Sequence, residues 1–402
     1  MLKRGAILEL LIEDIAFGGD GVGRHEQFVV FVPFTVPDER VRARVVTVKK
    51  NFAAAQLLEV LSLSPHRVAP PCPHFGGNAK PLPCGGCQYQ HIEYARQLEI
   101  KTAQIRETLR RIGGIENPPV EPMIPSPLPF GYRNKITLHR RGNRIGYLAS
   151  DNRTLLDVAR CPIAADAVNA ALTKLRERTS HEARRRARGA EKFSIRRTGL
   201  NETVCYSESG SKPTEWVEEI VAGKRLKLPP ASFFQVNAEL TPTMVRLAQE
   251  SFAGSGCRDV VDAYCGVGLF ALFLAENAGN VHGIESDARA VEAARFNADT
   301  FGLKNCNFAR GSVEALLPKI LAKLNPAETC VLLDPPRAGC EPRVIDAILE
   351  HPPKQLIYIS CNPPALARDL KQLRAAYKLA RVAPLDMFPQ TAHCEVIAEL
   401  ML

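Results

Sequence analysis

The first 60 residues alternate between apolar and polar positions and are interrupted by turns of glycine and proline. Residues 7–10 precede a glycine-rich turn at 17–24, the apolar run 28–32 follows, and residues 41–46 alternate between small apolar side chains and arginine. Short segments of this kind, separated by turns, are typical of strands in a small closed barrel. We therefore predict a β-barrel over residues 1–61.

Two other patterns follow this segment. Residues 62–92 have no apolar periodicity and are dense in proline, glycine and cysteine. This composition is typical of a loop that a cross-link must hold in place. Apolar residues then recur at helical spacing over 93–116, until Gly113 and Gly114 end the pattern. The sequence therefore predicts a long helix directly after the cysteine-rich loop.

The rest of the chain changes from a β-rich pattern to an alternation of strands and helices. Residues 128–228 contain short strand-like runs, whereas apolar strands and helical segments alternate from residue 230 onward. Such alternation implies a parallel sheet with helices on both faces, as in Rossmann-like α/β proteins. We assign 62–92 and 119–229 to a β-rich central domain, and 93–118 and 230–402 to the α/β domain. The predicted strands of this sheet are 260–261, 281–284, 330–333, 355–359 and the final strand 396–400.

Composition and charge restrict the compartment and the partner. The chain has 402 residues and a net charge of +9, which suits an anionic partner such as nucleic acid. No apolar stretch approaches the roughly 20 residues that cross a bilayer, and the N-terminus lacks the apolar core of a signal peptide. We therefore expect a cytoplasmic protein without a membrane partner. Its twelve cysteines are then metal ligands, nucleophiles or core residues rather than disulfides.

Basic residues concentrate in two places. One group, on an edge of the predicted barrel, is Arg42, Arg44, Lys49 and Lys50, and the other is Arg184, Arg185, Arg186 and Arg188. Charges at the density of the first group favour a solvated face. A triple arginine with few acids is equally compatible with a solvated helix face and with a surface that faces RNA.

A glycine turn after a buried strand predicts a nucleoside-binding site. Asp262 ends this strand, and Gly266 and Gly268 follow in the turn that leads to a helix. The two glycines let a ligand approach the backbone closely, and Glu285, at the end of the next strand, is placed for ribose hydroxyls. A dinucleotide fold would favour a third glycine where this chain has Ala271.

The residues that directly follow a later strand, here called its exit, distinguish between classes of α/β protein. It reads Leu333-Asp334-Pro335-Pro336, which resembles the motif of methyltransferases that act on nucleobases. The alternative for Asp334 is a helix cap, which the two prolines make less favourable. Methyl donation needs no phosphate cradle, so S-adenosylmethionine is compatible with this glycine turn.

Methylation of a uracil at carbon 5 needs a nucleophile and a base. A thiolate that adds at carbon 6 turns the ring into an enolate, whose carbon 5 attacks the methyl group, and a base then removes the proton from carbon 5. Cys361 follows the predicted strand 355–359, at the edge where open α/β sheets bind ligands. Glu395 precedes the final strand, and Thr391 and His393 beside it indicate a polar pocket. We predict Cys361 as the nucleophile and Glu395 as the base.

These motifs together resemble the RNA uracil-5 methyltransferase family, which includes bacterial 23S rRNA and tRNA enzymes. The resemblance covers nearly the whole chain and implies a Rossmann-like class I methyltransferase domain and an N-terminal TRAM domain, an OB-like barrel that binds RNA. It matches Cys361 and Glu395 to the family's nucleophile and base. Leu269 and Cys394 depart from the family pattern, because some members have Asn and an aliphatic residue there. The contacts to S-adenosylmethionine that the resemblance and the glycine turn imply are Gln235, Tyr264, Gly266, Gly268, Glu285 and Asp334.

Four cysteines resemble the family's ligands to a [4Fe–4S] cluster. A C-x-x-C pair such as Cys84 and Cys87 grips one metal centre, but spacing alone leaves tetrahedral zinc equally open. The resemblance favours iron–sulfur, carried by the central domain. Eleven residues separate Cys72 from Cys84, more than is usual in the family, so Gly77 to Leu82 is interpreted as a small insertion. The implied ligands are Cys72, Cys84, Cys87 and Cys161.

The remaining cysteines and the partner are less determined. Cys265, Cys330 and Cys340 are interpreted as core residues, and Cys205, Cys257 and Cys306 carry no signal. Family members with a TRAM domain and a cluster act mostly on 23S rRNA, which favours rRNA over the alternative, the T-loop of tRNA. We expect a monomer. Two other classes stay open, an iron–sulfur oxidoreductase that binds a dinucleotide and a non-catalytic RNA-binding factor.

Overall fold

The protein is described by a computed structural model over residues 2–76, 82–182, 190–210 and 213–402. These residues form a closed barrel, two antiparallel sheets and a seven-stranded sheet. The arginines at 184–186 and 188, and residues 77–81 of the predicted insertion, lie outside the described ranges. Among the described helices, none combines the length and the apolar composition that a membrane span requires.

The N-terminal strands close into the barrel that their alternation predicts, in the order β1-β2-β3-β5-β4. Leu8, Leu10 and Ile12 point inward and are buried, and each such side chain contributes about 1.5–3 kcal/mol by leaving water. On the outer face Arg42 pairs with acids of both neighbouring strands, so this arginine lies in a solvated ion-pair network. The strands are β1 (Ile7–Ile15), β2 (Gly21–His25), β3 (Phe28–Val32), β4 (Arg40–Val48) and β5 (Phe52–Ser62).

A long helix, α1 (Tyr94–Arg111), forms where the helical spacing predicts it. Its buried Ile105 and Leu109 belong to the same apolar core as Leu366, a residue of the α/β region. The chain turns away at Gly113, where a Cβ would lie 2.6 Å from the carbonyl oxygen of Leu109. The helix therefore covers one face of the α/β sheet, although the barrel and the cysteine-rich loop precede it directly in sequence.

The middle of the chain is β-rich, as predicted, and includes one helix. A four-stranded antiparallel sheet has the order β7-β6-β8-β9, and a separate hairpin pairs β10 with β11. The buried ion pair between Arg196 and Glu219, 2.8 Å long, joins the sheet to the hairpin. The elements are β6 (Lys135–Arg141), β7 (Arg144–Gly146), α2 (Asp166–Glu182), β8 (Ala190–Arg197), β9 (Thr203–Ser207), β10 (Val217–Val221) and β11 (Lys224–Leu228).

The seven-stranded sheet has the order β14-β13-β12-β15-β16-β18-β17. The predicted strands β12, β13, β15 and β16 and their parallel pairing are confirmed, and β14 is a further parallel strand that the apolar runs did not predict. The expectation of a wholly parallel sheet is wrong. The last strand, β18, runs antiparallel to both β16 and β17, because residues 386–394 reverse the chain and return it directly beside β17. The strands are β12 (Asp259–Ala263), β13 (Asn280–Glu285), β14 (Cys306–Arg310), β15 (Thr329–Leu333), β16 (Gln355–Ser360), β17 (Lys378–Leu385) and β18 (Glu395–Met401).

Helices cover both faces of this sheet. One apolar core contains residues of α3, α4 and α5, and a second contains residues of α1, α6, α7 and α8. The carboxyl ends of the parallel strands meet at one edge, and the start of the reversed strand β18 lies at that same edge. The helices are α3 (Thr241–Ser255), α4 (Leu269–Leu274), α5 (Ala288–Thr300), α6 (Val313–Leu321), α7 (Pro342–Glu350) and α8 (Pro363–Leu373), with a 3-10 turn at Pro326–Glu328.

Candidate active site

The turn after β12 is held open by backbone conformation and by two carboxylates. Gly266 and Gly268 both have positive φ angles, of 55° and 86°, and Gly268 precedes α4. Asp262 accepts a hydrogen bond from the backbone N–H of Ala271 at 2.9 Å, and Glu285 accepts one from Gly266 at 3.1 Å. A Cβ on Gly266 would meet nothing within 4 Å, so the space beside this turn is open to a ligand.

Two further predicted cofactor residues lie next to this turn. Tyr264 directly follows β12 with a φ of 70°, a left-handed conformation that is rare for a residue with a Cβ. Asp334 directly follows β15, whose last residue pairs with Ala263. Asp334 caps no helix, since α7 begins only at Pro342. Gln235 is buried in the segment before α3, and its carbonyl oxygen accepts a hydrogen bond from Asn134; its contact with the cofactor stays a prediction.

Cys361 and Glu395 are brought together by the pairing of β16 with β18. In this antiparallel ladder Ser360 faces Val396, so continuing the register by one residue places Cys361 opposite Glu395. Directly opposed residues of an antiparallel pair have Cβ atoms about 4.5–5.5 Å apart. Only the reversal of β18 brings the start of this strand to the carboxyl end of β16. The structure thus joins two residues that the sequence predicts separately.

Three acidic groups with raised pKa values, Cys361, Glu395 and Asp334, lie close together in the site. Burial and the nearby Glu395 carboxyl, with a further contribution from Asp334, raise the pKa of the Cys361 thiol to about 11. Burial also raises the pKa of Glu395 well above its ordinary value, and Asp334 adds to this effect. Burial raises the pKa of Asp334 to about 7. Protons are therefore held tightly in this site, and perturbed pKa values of this kind are typical of catalytic positions.

Sequence reasoning missed a cation, Arg337, that favours the ionised forms of two acidic groups in this site. The Arg337 guanidinium lowers the pKa of both Cys361 and Glu395. The main chain of Arg337 is fixed beside the thiol, because its carbonyl oxygen accepts a hydrogen bond from the Asn362 side chain at 2.8 Å. The signal was present in the sequence, since this arginine follows the Asp-Pro-Pro exit directly.

The residues just before Glu395 are buried or half-buried. Burial, with Arg337 and Lys101 nearby, lowers the pKa of His393 to about 4. This imidazole is therefore neutral at pH 7, and it packs edge-to-face against Phe388. Cys394 is buried, and burial raises the pKa of its thiol to about 12. Its thiol is therefore protonated at neutral pH. Cys265, Cys330 and Cys340 are buried, as predicted.

The four predicted metal-binding cysteines line one cavity in the central region. Cys72, Cys84, Cys87 and Cys161 all border it, and its volume is about 490 Å³. Burial raises the pKa of Cys84 to about 11 and that of Cys87 to about 12, and charge on the other thiols of the set adds to both shifts. Thiols that disfavour each other's ionisation are stabilised when a metal centre takes their negative charge.

A metal centre at these four cysteines stays a prediction. Within the described ranges, no three His, Cys, Asp or Glu side chains converge closely enough to bind one metal ion. Tetrahedral zinc requires its donors within about 2.3 Å of one point, whereas a four-iron cluster takes its thiolates at separate irons. Four hydrogen-bond donors face three of the sulfurs. They are the backbone N–H groups of His74 and Phe75 towards Cys72, that of Gly86 towards Cys84, and the Gln90 side chain towards Cys87.

A seven-stranded sheet with one reversed strand, a glycine turn and an Asp-Pro-Pro exit together define an S-adenosylmethionine-dependent methyltransferase. Comparison with known proteins specifies the class. Residues 214–401 match the family described as tRNA (uracil-5-)-methyltransferase, and residues 2–58 match the TRAM domain.

Similarity to complete proteins extends over the whole chain. It is 37% identical to an uncharacterized RNA methyltransferase of Gloeobacter violaceus, over 99% of this chain and 97% of that protein. It is 34% identical to one of Thermosynechococcus vestitus, over 99% and 98%. The chain belongs to the RNA uracil-5 methyltransferase family, as its motifs predict, and it is an RNA methyltransferase with an N-terminal TRAM domain.

A solved structure superposes on nearly the whole chain. The Pyrococcus abyssi tRNA (uracil-54, C5)-methyltransferase, determined in complex with S-adenosyl-L-homocysteine, superposes with a TM-score of 0.76 at 27% identity. The superposition covers 98% of this chain and 100% of the archaeal one. Family membership thus favours the methyltransferase over the oxidoreductase and the non-catalytic factor.

Proposed function

We propose that this enzyme transfers the methyl group of S-adenosylmethionine to carbon 5 of a uridine in RNA, with Cys361 as the nucleophile and Glu395 as the base. The observation that carries the proposal is the placement of Cys361 opposite Glu395 at the carboxyl edge of the sheet. A covalent route needs a thiol and a proton acceptor at one uracil ring, and this pairing supplies both.

The steps follow from the chemistry of the ring. The Cys361 thiolate adds to carbon 6, and the electrons of the double bond move onto carbon 5 and the carbonyl oxygen as an enolate. Carbon 5 then attacks the methyl group, and S-adenosylhomocysteine leaves. Glu395 removes the proton from carbon 5, the double bond forms again, and the thiolate departs from carbon 6.

The charges of the site suit both the addition of the thiolate to carbon 6 and the later removal of the proton from carbon 5. A thiol with a pKa of about 11 is mostly protonated at pH 7, so its proton must pass to a neighbouring acceptor as it attacks. The Arg337 guanidinium favours the thiolate that results. A carboxylate whose pKa is raised by burial is a stronger base than an ordinary one, which suits Glu395 for removing a proton from carbon.

The cofactor is proposed to bind along the exits of β12, β13 and β15. Gly266 and Gly268 give it access to the backbone, Glu285 faces its ribose, and Tyr264 and Asp334 border the methyl donor. Gln235 approaches from the segment before α3. The open space beside Gly266 supports this placement.

We propose 23S rRNA as the substrate, because the barrel and the four-cysteine cavity together follow the pattern of family members that act on rRNA. A second candidate is the T-loop of tRNA, and the similarity to the archaeal tRNA enzyme over the whole chain favours it. Both candidates predict 5-methyluridine as the product, and the RNA that contains it distinguishes them.

Cys72, Cys84, Cys87 and Cys161 are proposed to hold a [4Fe–4S] cluster. The methyl transfer consumes no electrons, so a bound cluster would serve to cross-link the three chain segments that carry these cysteines. The size of the cavity and the donors that face the sulfurs support this proposal.

The activity is tested with labelled S-adenosylmethionine and RNA from a strain that lacks the gene. We expect label in 5-methyluridine, and mapping it in rRNA and tRNA identifies the substrate. Cys361→Ala should abolish turnover, whereas Cys205→Ala, at an exposed cysteine of β9, should retain it. Full activity of Cys361→Ala would refute the mechanism.

A further inference from the structure

We propose that Gln88 is a positioning residue that fixes Glu395 through the segment before β18, residues 386–394, here called the base segment. Gln88 follows Cys87 directly, in residues 84–88, here called the cysteine loop. The inference rests on the proposed function, because it concerns the step in which Glu395 removes the proton from carbon 5.

Gln88 and its neighbour form a bridge between the cysteine loop and the base segment. The backbone N–H groups of Gln88 and Tyr89 both donate to the carbonyl oxygen of Gln390, at 3.1 and 3.0 Å. The Gln88 side-chain oxygen accepts a hydrogen bond from the N–H of Ala392 at 3.0 Å. Its amide group donates to the carbonyl oxygen of Gly85 at 3.0 Å. One side chain therefore ties the turn between two cysteines to a residue three positions before Glu395.

The base segment depends on such external contacts. Gln390 has a φ of 69°, a left-handed conformation that a residue with a Cβ adopts at a cost of about 1–2 kcal/mol. Such conformations persist where the surroundings over-determine them. Gln97 of α1 completes the restraint, since its amide group donates to the Gln390 side chain at 3.0 Å and its oxygen accepts the Gln390 N–H at 3.1 Å.

The barrel closes the other side of Gln88. A Cβ on Gly19, in the glycine-rich turn of the barrel, would lie 2.7 Å from the Cβ of Gln88. Gly19 also has a φ of 106°, so this close approach is open to glycine and to few other residues. The barrel, the cysteine loop and the base segment thus meet at a single side chain.

The two halves of the reaction should respond differently to loss of this bridge. Cys361 lies at the end of β16, which does not rely on the base segment for its position, so addition to carbon 6 should proceed. Proton removal depends on where the base segment places Glu395, and a displacement of about 1 Å can slow such a step about a hundredfold. The methylated covalent adduct between Cys361 and RNA should then accumulate.

Two versions of the same transcripts separate these steps. Transcripts of 23S rRNA and of tRNA are made once with uridine and once with 5-fluorouridine. Fluorine at carbon 5 leaves no proton for Glu395 to remove, so the fluorinated RNA reports adduct formation alone. The uridine RNA reports release of 5-methyluridine, and denaturing gels measure the adduct in both cases.

Gln88→Met keeps the length of the side chain and removes its hydrogen bonds to Ala392 and Gly85. We expect adduct formation on fluorinated RNA to stay within about threefold of wild type, and release from uridine RNA to fall about tenfold or more. Gln88→Glu keeps the acceptor for Ala392 and should restore release. Should methionine disturb the fold, Gln88→Lys, which also lacks the acceptor, carries the same expectation.

A matched control is Gln104→Leu. This buried glutamine of α1 donates to the carbonyl oxygens of Ile15 and Ala16 in the barrel, so its loss should lower both steps equally or neither. The proposal is overturned if Gln88→Met releases product at the wild-type rate, or if both steps fall in the same proportion. Absence of 5-methyluridine and of adduct with the wild-type enzyme would instead refute the proposed function itself.

Discussion

Lys101 and Asp386 form an ion pair 2.6 Å long, and both side chains are almost wholly buried. The Lys101 ammonium also donates to the carbonyl oxygens of Phe388 and His393, at 3.3 and 3.0 Å. One cation on α1 therefore holds both ends of the segment that leads to Glu395. Buried charges of this kind are tolerated where each has a partner, and removal of one partner leaves the other uncompensated.

Lys101→Met should destabilise the enzyme by about 3–5 kcal/mol, because it leaves the Asp386 carboxylate buried without its cation. Urea unfolding followed by circular dichroism measures this change. The control is Arg246→Met, which removes an exposed pair with Glu250 on α3 and should change stability by less than about 1 kcal/mol. A loss below 1 kcal/mol for Lys101→Met would show that the buried pair does not support the fold.

The reactivity of Cys361 should depend on pH and on two neighbours. Because its pKa is raised to about 11, the thiolate fraction is small at pH 8 and grows as the pH rises towards 11. Glu395→Gln removes a negative neighbour, lowers this pKa and should speed alkylation of Cys361 by iodoacetamide at pH 8 about threefold or more. Arg337→Gln removes the positive neighbour and should slow it.

Peptide mass spectrometry follows this alkylation at Cys361 itself. Glu350→Gln, at an exposed position at the end of α7, serves as the control and should leave the rate unchanged. A Glu395→Gln variant that reacts more slowly than wild type would contradict the electrostatic assignment.

Gly266→Ala should separate stability from cofactor binding. The positive φ of 55° makes alanine cost about 1 kcal/mol, although no neighbouring atom obstructs the new Cβ. The Cβ would project into the space assigned to the cofactor, so affinity for S-adenosylhomocysteine should fall about tenfold or more by calorimetry.

Gly302 provides a close match for this test. Its φ is 68°, its Cβ would also meet nothing within 4 Å, and it lies after α5. Gly302→Ala should have a similar effect on stability and none on affinity. Equal affinity for the two alanine variants would place the cofactor away from the turn.

The cysteine cavity should contain iron when the enzyme is purified without oxygen. We expect about four irons and four sulfides per chain, with visible absorption that dithionite bleaches. Cys161→Ser should lower both contents, whereas Cys257→Ser should leave them unchanged. One zinc per chain and no sulfide would instead establish the tetrahedral alternative.

Short-range patterns in the sequence were sufficient for much of this molecule. Alternation predicted the barrel, apolar runs predicted five strands of the sheet, and helical spacing predicted α1. The glycine turn and the Asp-Pro-Pro exit indicated which edge of the sheet carries the active site. These features depend on backbone geometry and on burial of one face, which neighbouring residues determine among themselves.

Tertiary structure decided which of these residues meet. The reversal of β18 is not visible in its apolar run, because a strand buried on both faces has the same pattern in either direction. Yet this reversal places Glu395 opposite Cys361. The hydrogen bonds between Gln88 and the base segment join residues about 300 positions apart, and no local pattern specifies such a contact. The sequence by itself determined the chemical groups of the active site, and only long-range pairing and packing determined their partners.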